Sequence, residues 1–326
     1  MTTLVTGAGG FIGSAVVRRL LERGRAVRAM LMPGEQPTNL SGLDVEIVFA
    51  DVLDRPAVER AIKGCDVVYH LAALYKLWLP DPRRMYQVNL EGSRNVLAAA
   101  RQLGVSKVVY TSSIAAIGFR EGELADETTE FNQWAEGNDY IRSKWLSERE
   151  ALAFAADGLP VVVVNPAFPF GPRDRAPTPT GQTIIEVLTG KLPGYPDGGI
   201  NAVDVDDCAE GHVLAEERGR VGERYILGSH NVTHRELLTR VAEVAGVRAP
   251  RLRVPRAVAL AAARGFELVA RVRRTEPFYT VKAVGFASRQ LWFDTSKAKG
   301  ELGMPTTPLE ETIEKSVRWF REHGYV

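Results

Sequence analysis

The sequence predicts an α/β chain, a doubly wound parallel sheet with a smaller, mainly helical C-terminal part. Three observations carry that expectation. Short runs rich in β-branched residues alternate with segments of helical period. The run Val161 to Val164 is apolar at every position, as in a strand covered on both faces. A glycine-rich turn joins the first run to the first helical segment. With 326 residues, the chain has room for roughly two domains or one large unit with an addition.

In chain order, strands are expected at Thr3 to Thr6, Val27 to Leu31, Val45 to Phe49, Val67 to Leu71, Lys107 to Ser112 and Val161 to Asn165. Ile12, Val16 and Leu20 repeat at helical spacing, and Gly24 stands where a left-handed residue ends a helix, so the first helix stops near Arg23. Two further helices are expected over about 84–103 and 139–156. The segment NPAFPFGPRDRAPTPTG then brings five prolines, which takes the chain out of the regular sheet. YILG at 225–228 reads as one more strand, and the tail from about 232 as mainly helical. The expected division is a dinucleotide-binding unit over 1–170, to which 200–230 returns, and a substrate unit over 171–199 and 231–326.

Composition narrows the function. The chain is 45% hydrophobic and 25% charged, which excludes disorder, collagen and coiled coil as the main architecture. A formal net charge of +1, from 41 basic and 40 acidic residues, provides no global field for nucleic acid. Cys65 and Cys208 are the only cysteines, too few for a disulfide framework, and no secretory leader is visible, so a cytoplasmic location is expected. Residues 257–270 are the nearest approach to a membrane span, but Arg264 and Glu267 interrupt them. From Arg248 to Arg274 there are eight arginines and one acid, Glu267, around an apolar helix. That helix either faces an anionic lipid surface or a phosphate-bearing substrate such as an acyl-CoA, or buries its apolar stripe and leaves the arginines in solvent.

The glycine turn reads TGxxGxxG, with Gly7, Gly10 and Gly13 between a strand and a helix. Such glycines permit a tight turn, close approach to a pyrophosphate and close helix–strand packing, while the helix N-terminus offers unpaired N–H groups. A dinucleotide site follows, with expected contacts from Gly7, Gly10, Phe11, Ile12 and Gly13. Further contacts are expected from Met32, from Asp51 and Val52, from Leu71, Ala72 and Ala73, and from Lys144 and Pro166. Asp51 would meet the adenine or cap the following helix. No acid stands at the end of the second strand to read a ribose 2′-OH, and Arg28 is near, which tips the expected cofactor towards NADP(H) over NAD(H).

Tyr140 and Lys144 form YxxxK on a predicted helix, so both project from one face. Ser113 closes a strand at the sheet's carboxyl edge, with Ser112 as second candidate. A carbonyl that receives hydride develops alkoxide charge and needs a proton donor and a fixed hydrogen-bond partner. Tyr140 suits the donor, Ser113 the partner, and Lys144 would orient the nicotinamide ribose and lower the tyrosine pKa. No metal is expected: His230 and His234 are four residues apart but lack the glutamate of a zinc-binding HExxH.

TGxxGxxG, HLAA at His70 to Ala73, the TSS strand end, YxxxK and the FGP turn at Phe170 to Pro172 resemble the extended short-chain dehydrogenase/reductase superfamily, of Rossmann fold. The stretches YTSSIAAIG, NPAFPFGPRD and DVDDCAEGH are similar to hopanoid-associated sugar epimerases and dihydroflavonol 4-reductase-like proteins. The resemblance implies Ser113, Tyr140 and Lys144 as a triad and Asn89 as a structural residue near the site. It further implies a bilobed fold and a homodimer through the helices of 84–103 and 139–156. Nucleotide-sugar epimerases of this type carry an asparagine where Phe168 stands and an arginine where Ile200 stands, so a less charged, more apolar small-molecule substrate is expected. Residues 74–79 should border the pocket, and Phe119 to Asp139 reads as a lid or a surface excursion. The first reading is a reductase or dehydrogenase of a ketone, aldehyde or secondary alcohol. A sugar epimerase or dehydratase with tightly held cofactor is second, and a non-catalytic dinucleotide sensor third.

Overall fold

The apolar runs are strands because their β-branched residues pack on both faces of a sheet. The computed structural model describes the chain except residues 77, 78, 136, 193, 274 and 276–279. Strands β1 (Thr2–Thr6), β2 (Ala26–Leu31), β3 (Glu46–Phe49), β4 (Val67–His70), β5 (Lys107–Thr111) and β6 (Val161–Pro166) fall within a residue or two of expectation. Past β6 come β7 (Phe168–Phe170), β8 (Gly194–Pro196) and β9 (Gly199–Asp204), and then β10 (Arg224–Leu227). The large sheet runs β10-β6-β5-β4-β1-β2-β3, with every pair parallel. Strand order reverses between β1 and β4, the crevice in which ligands of such sheets bind.

Helices cover both faces. They are α1 (Phe11–Glu22), α2 (Arg55–Ile62), α3 (Arg83–Tyr86), α4 (Gly92–Gln102), α5 (Asp139–Ala156), α6 (Pro179–Leu188) and α7 (Val205–Arg218). Val16, Leu20, Cys208 and Val213 of α1 and α7 fill one side, while Val58, Val96, Leu97 and Ala151 of α2, α4 and α5 fill the other. As expected, α1 stops at Arg23, with Gly24 left-handed at φ 70°. The helix expected over 84–103 is interrupted by a π-helical stretch, Gln87–Glu91, which carries Asn89.

The remaining elements are β11 (His230–Thr233), α8 (His234–Ala245), β12 (Leu252–Val254), α9 (Arg256–Arg273), α10 (Val281–Ala287), β13 (Gln290–Leu291) and α11 (Leu309–Glu322). β9 pairs with β7, β11 and β13 in a small second sheet, and β12 pairs with β8. Ile184, Val241, Ile313 and Phe320 of α6, α8 and α11 form a separate core beneath that sheet. The chain passes between the two sheets with very little slack: Ala167 alone separates β6 from β7, β9 runs straight into α7 at Val205, and Gly228 and Ser229 join β10 to β11.

Two expectations are corrected. The apolar stripe of α9 is not a core stripe, since only Ala263 and Ala270 of that helix are buried. Nor is Phe119 to Asp139 a lid. Asn132 closes the segment on its own first residue, Phe119, at 3.2 and 2.9 Å; Ala125 exchanges backbone bonds with Trp292 and Asp294, and Glu127 accepts from Ile226 N at 2.8 Å, which pins the segment over the edge of β10.

Helix α1 can approach β1 because Gly13 has no side chain. A Cβ there would run into the Gly7 carbonyl oxygen. Gly13→Ala is therefore expected to lower the unfolding free energy by about 1–3 kcal/mol, the usual cost of overpacking. Urea unfolding measures it.

Candidate active site

A cleft of about 610 Å³ opens at the carboxyl ends of β1, β4, β5 and β6. Its floor is the glycine turn. Gly10 begins α1 with no side-chain cap, and the first turn of the helix holds no acid, so its N–H groups are free for an anion. A Cβ on Gly7 would lie 2.9 Å from Ala72 N, so the turn must stay bare. These features fit a dinucleotide diphosphate. Gly7, Gly10, Phe11, Ile12, Gly13, Leu71, Ala73, Pro166 and Lys144 line the cleft as expected, whereas Met32, Asp51, Val52 and Ala72 do not. Met32 is half-exposed beside it, and Ala72 donates its N–H to Thr6 Oγ1 at 3.1 Å. Val52 is buried against Gly92. Asp51 Oδ1 accepts from Leu53 N at 3.0 Å, and Asp54 rather than Asp51 caps α2.

The ribose end differs from expectation. Arg28 faces away from the strand end, bonded to Glu46 and to the carbonyls of Ala61 and Lys63, each at 2.8 Å. An acid is present after all. The turn at Pro33 and Gly34, with Gly34 at φ 87°, folds Glu35 back so that its carboxylate accepts from Met32 N at 3.1 Å and lies over Gly9. Asn39 Nδ2 donates to Gly9 O at 3.0 Å and Arg173 O at 3.1 Å, tying this loop to the FGPRD turn. Glu35, Asn39 and Arg173 all line the cleft. The Pro-Gly turn is the sequence signal for Glu35; nothing local marks the reach of Asn39.

Ser113, Tyr140 and Lys144 line the same cleft. Asn138 caps α5 by accepting from Ile141 N at 2.9 Å, and the inner face of the helix then carries Lys144 and Glu148 in place of apolar residues. Lys144 Nζ donates to Thr111 O at 2.8 Å; burial brings its pKa down to about 8, opposed by Glu148. Burial pushes the Tyr140 phenol up to about 12, and a hydrogen bond from Ser113 pulls against that rise. Ser113 Oγ accepts from Ala115 N at 3.1 Å, which leaves its proton to donate into the cleft. Ser112 Oγ is buried with no partner among the described residues and also lines the cleft. The Tyr75 ring stands 4.8 Å from that of Tyr140. Leu77 and Trp78 of the expected 74–79 border lie outside the described residues.

Behind the site, Asn89 Oδ1 accepts from Leu74 N at 2.7 Å and its Nδ2 donates to Ser143 Oγ at 2.9 Å, joining the 74 loop to α5. Ser93 gives its proton to Asn89 O at 2.7 Å, so His70 Nε2 must be the donor to Ser93 at 3.0 Å, and Thr6 the donor to Nδ1 at 2.8 Å. His70 is thus a neutral Nε2–H tautomer. His230 and His234 bond to separate carbonyls, Thr307 O and Ala287 O, each at 2.8 Å.

Burial, with the Lys144 ammonium adding to it, drives the His70 pKa down to about 3. The unfolded residue gains a proton near pH 6.5 and the folded one only near 3, so this stability is present above 6.5 and lost as pH falls through the interval. At pH 5 the loss from His70 should reach about 2 kcal/mol. Urea unfolding of the parent and His70→Asn should accordingly give a stability gap that narrows from pH 7 to pH 5.

The model of the NAD dependent epimerase/dehydratase family matches residues 3–228. A Synechocystis protein described as a dihydroflavonol 4-reductase is 38% identical, over 99% of this chain and 95% of its own length. Sterol demethylase protein B of Methylococcus capsulatus is 33% identical over the whole of both chains. A solved structure described as a nucleoside-diphosphate-sugar epimerase from Pseudomonas aeruginosa superposes with a TM-score of 0.83 at 29% identity, covering 100% of this chain and 99% of that one. The chain belongs to the NAD dependent epimerase/dehydratase family, within the extended short-chain dehydrogenase/reductase superfamily.

Proposed function

We propose that the chain is a reductase or dehydrogenase that transfers hydride between NAD(H) and a ketone, aldehyde or secondary alcohol on a largely apolar small molecule. The observation that carries this reading is the substrate end of the cleft. Tyr75, Phe168, Pro169 and Phe286 line it, and Asp174, buried and with its pKa raised to about 6 by burial, adds a carboxylate that opposes a diphosphate. The guanidinium of Arg173 is already engaged by Asp206 at 2.6 Å. Relatives described as a dihydroflavonol 4-reductase and a sterol demethylase protein support a polycyclic or otherwise apolar substrate.

When bound, the nicotinamide supplies or accepts the hydride. The chain's own groups do the rest. Ser113 Oγ–H donates to the carbonyl oxygen, and Tyr140 O–H donates to the same oxygen and delivers its proton as charge develops there. In the oxidative direction, Tyr140 takes the proton back. A phenol near 12 needs a cation to do so at neutral pH, and Lys144, an ammonium below about 8, stands one helical turn away. The Gly10 end of α1 would hold the diphosphate, and Ser112 would offer its unpartnered hydroxyl to cofactor or substrate.

For the coenzyme, the expected tilt to NADP(H) loses both supports, since Arg28 is engaged elsewhere and Glu35 stands by the glycine turn. A carboxylate there accepts from a ribose 2′-OH and repels a 2′-phosphate. Glu35→Ala should shift the NADPH-to-NADH affinity ratio at least about tenfold towards NADPH, measured by fluorescence titration.

A second reading, an epimerase or dehydratase of a sugar derivative, is favoured by Arg175, an exposed cation on the cleft wall with no ion pair among the described residues. Mass spectrometry of cofactor released from fresh protein, followed by NADH consumption against a carbonyl panel, separates the two. Stoichiometric, non-exchanging cofactor without net turnover overturns the reductase. Tyr140→Phe should lower kcat by about 10²–10⁴-fold while NADH binding is retained; unchanged turnover removes Tyr140 from the chemistry. A homodimer through α4 and α5 remains part of the proposal, and light scattering tests it.

A further inference from the structure

Helix α9 is built inside out for a core helix. At about 100° per residue, Val258, Ala261, Leu268, Val269 and Val272 share one face. That face points to solvent: Val258 is 58% exposed, Leu268 62% and Val272 78%. The opposite side, with Ala263 and Ala270, is the one that packs inward. Glu267 lies on this inner side, and its carboxylate accepts from Val281 N at 2.8 Å, which fastens α9 to α10. Arg264 and Arg271 flank the exposed apolar face on one edge and Arg273 on the other, and none of the three is in an ion pair among the described residues. Over 248–273 the chain carries seven arginines and a single acid.

We propose that α9 docks on an anionic lipid surface, with its apolar face in the headgroup and acyl boundary and its arginines on lipid phosphates. Charge decides the occupant. A second copy seated on this face about a two-fold axis would bring the same arginines together, because an isologous contact must be self-complementary. An apolar face rimmed by arginines matches an interfacial helix, which draws on both buried apolar area and attraction to anionic lipid. The docked helix is one element from the chemistry, since α9 packs on α10 and Phe286 of α10 lines the cleft. This inference stands apart from the catalytic reading and survives its failure.

The test is sedimentation of the full chain with vesicles of equal parts phosphatidylglycerol and phosphatidylcholine, and with phosphatidylcholine alone. Binding to the first and not the second is expected, falling steeply between about 50 and 500 mM salt. Leu268→Glu with Val272→Glu should reduce the partition coefficient at least about tenfold, with melting temperature and NADH binding unchanged, and Arg264→Gln with Arg271→Gln should flatten the salt dependence. Because Cys65 and Cys208 are buried, Val269→Cys can carry an environment-sensitive fluorophore, whose emission should shift to the blue with the anionic vesicles. No sedimentation at low salt, sedimentation that persists in the glutamate variant, or no spectral shift overturns the proposal. A dimer that dissociates on Leu268→Glu overturns it in favour of a second copy.

Discussion

A carboxylate buried on the inner face of α5 sets the terms for its surroundings. Glu148 is 1% exposed, and a charge so placed is tolerated only if hydrogen-bonded partners surround it. Arg224 of β10 reaches it at 2.7 Å and Asn165 of β6 at 2.6 Å. Each partner holds something further. Arg224 Nε donates to Glu127 O at 2.7 Å, which seats the 119–139 segment, and Asn165 Nδ2 donates to Ser113 O at 2.9 Å, which fixes the strand end that carries Ser113. The same carboxylate favours the ammonium of Lys144 one turn earlier. One buried charge thereby couples the sheet edge, the helix and the reactive hydroxyls.

The second constraint is closeness at the glycine turn. With Gly13 against Gly7, α1 presents bare N–H groups where a phosphate belongs, and no side chain competes for them. His70, behind the turn, stays neutral because it is buried beside the Lys144 ammonium, and its two nitrogens are bonded to Thr6 and Ser93. Its neighbour Lys144 is then the only ammonium drawn into this pocket wall among the described residues, on the same wall as Tyr140 and the glycine turn.

Much of this was legible in the sequence, and for stated reasons. A strand buried on both faces reads as an unbroken apolar run in β6, and shorter runs rich in β-branched residues brought β1, β4 and β5 within reach; so were the helix end set by Gly24 and the tyrosine and lysine one turn apart. What escaped depends on chain reversals and long-range partners. No acid stands between Val27 and Gly34, yet that glycine is what turns Glu35 back onto the strand end. Periodicity located α9 but could not tell which face would meet the core, because a helix with apolar residues outward has the same period as one with them inward. The π-helical stretch at 87–91 left no trace in the pattern either; it lets Asn89 reach both the 74 loop and α5.

The passages between the two sheets act as three short straps rather than one hinge. Ala167, the β9 to α7 junction and the Gly228–Ser229 link each cross within a residue or two, and Ala167 itself lines the cleft. Turning one lobe against the other would have to bend at least these three backbones at once, two of them continuous with strands of the large sheet. Mechanically the molecule is a braced corner. Ligand exchange then depends on the loops and helices at the mouth, among them the Pro33 to Asn39 turn and α10, while the distance between the reactive hydroxyls and the glycine turn stays set by the frame.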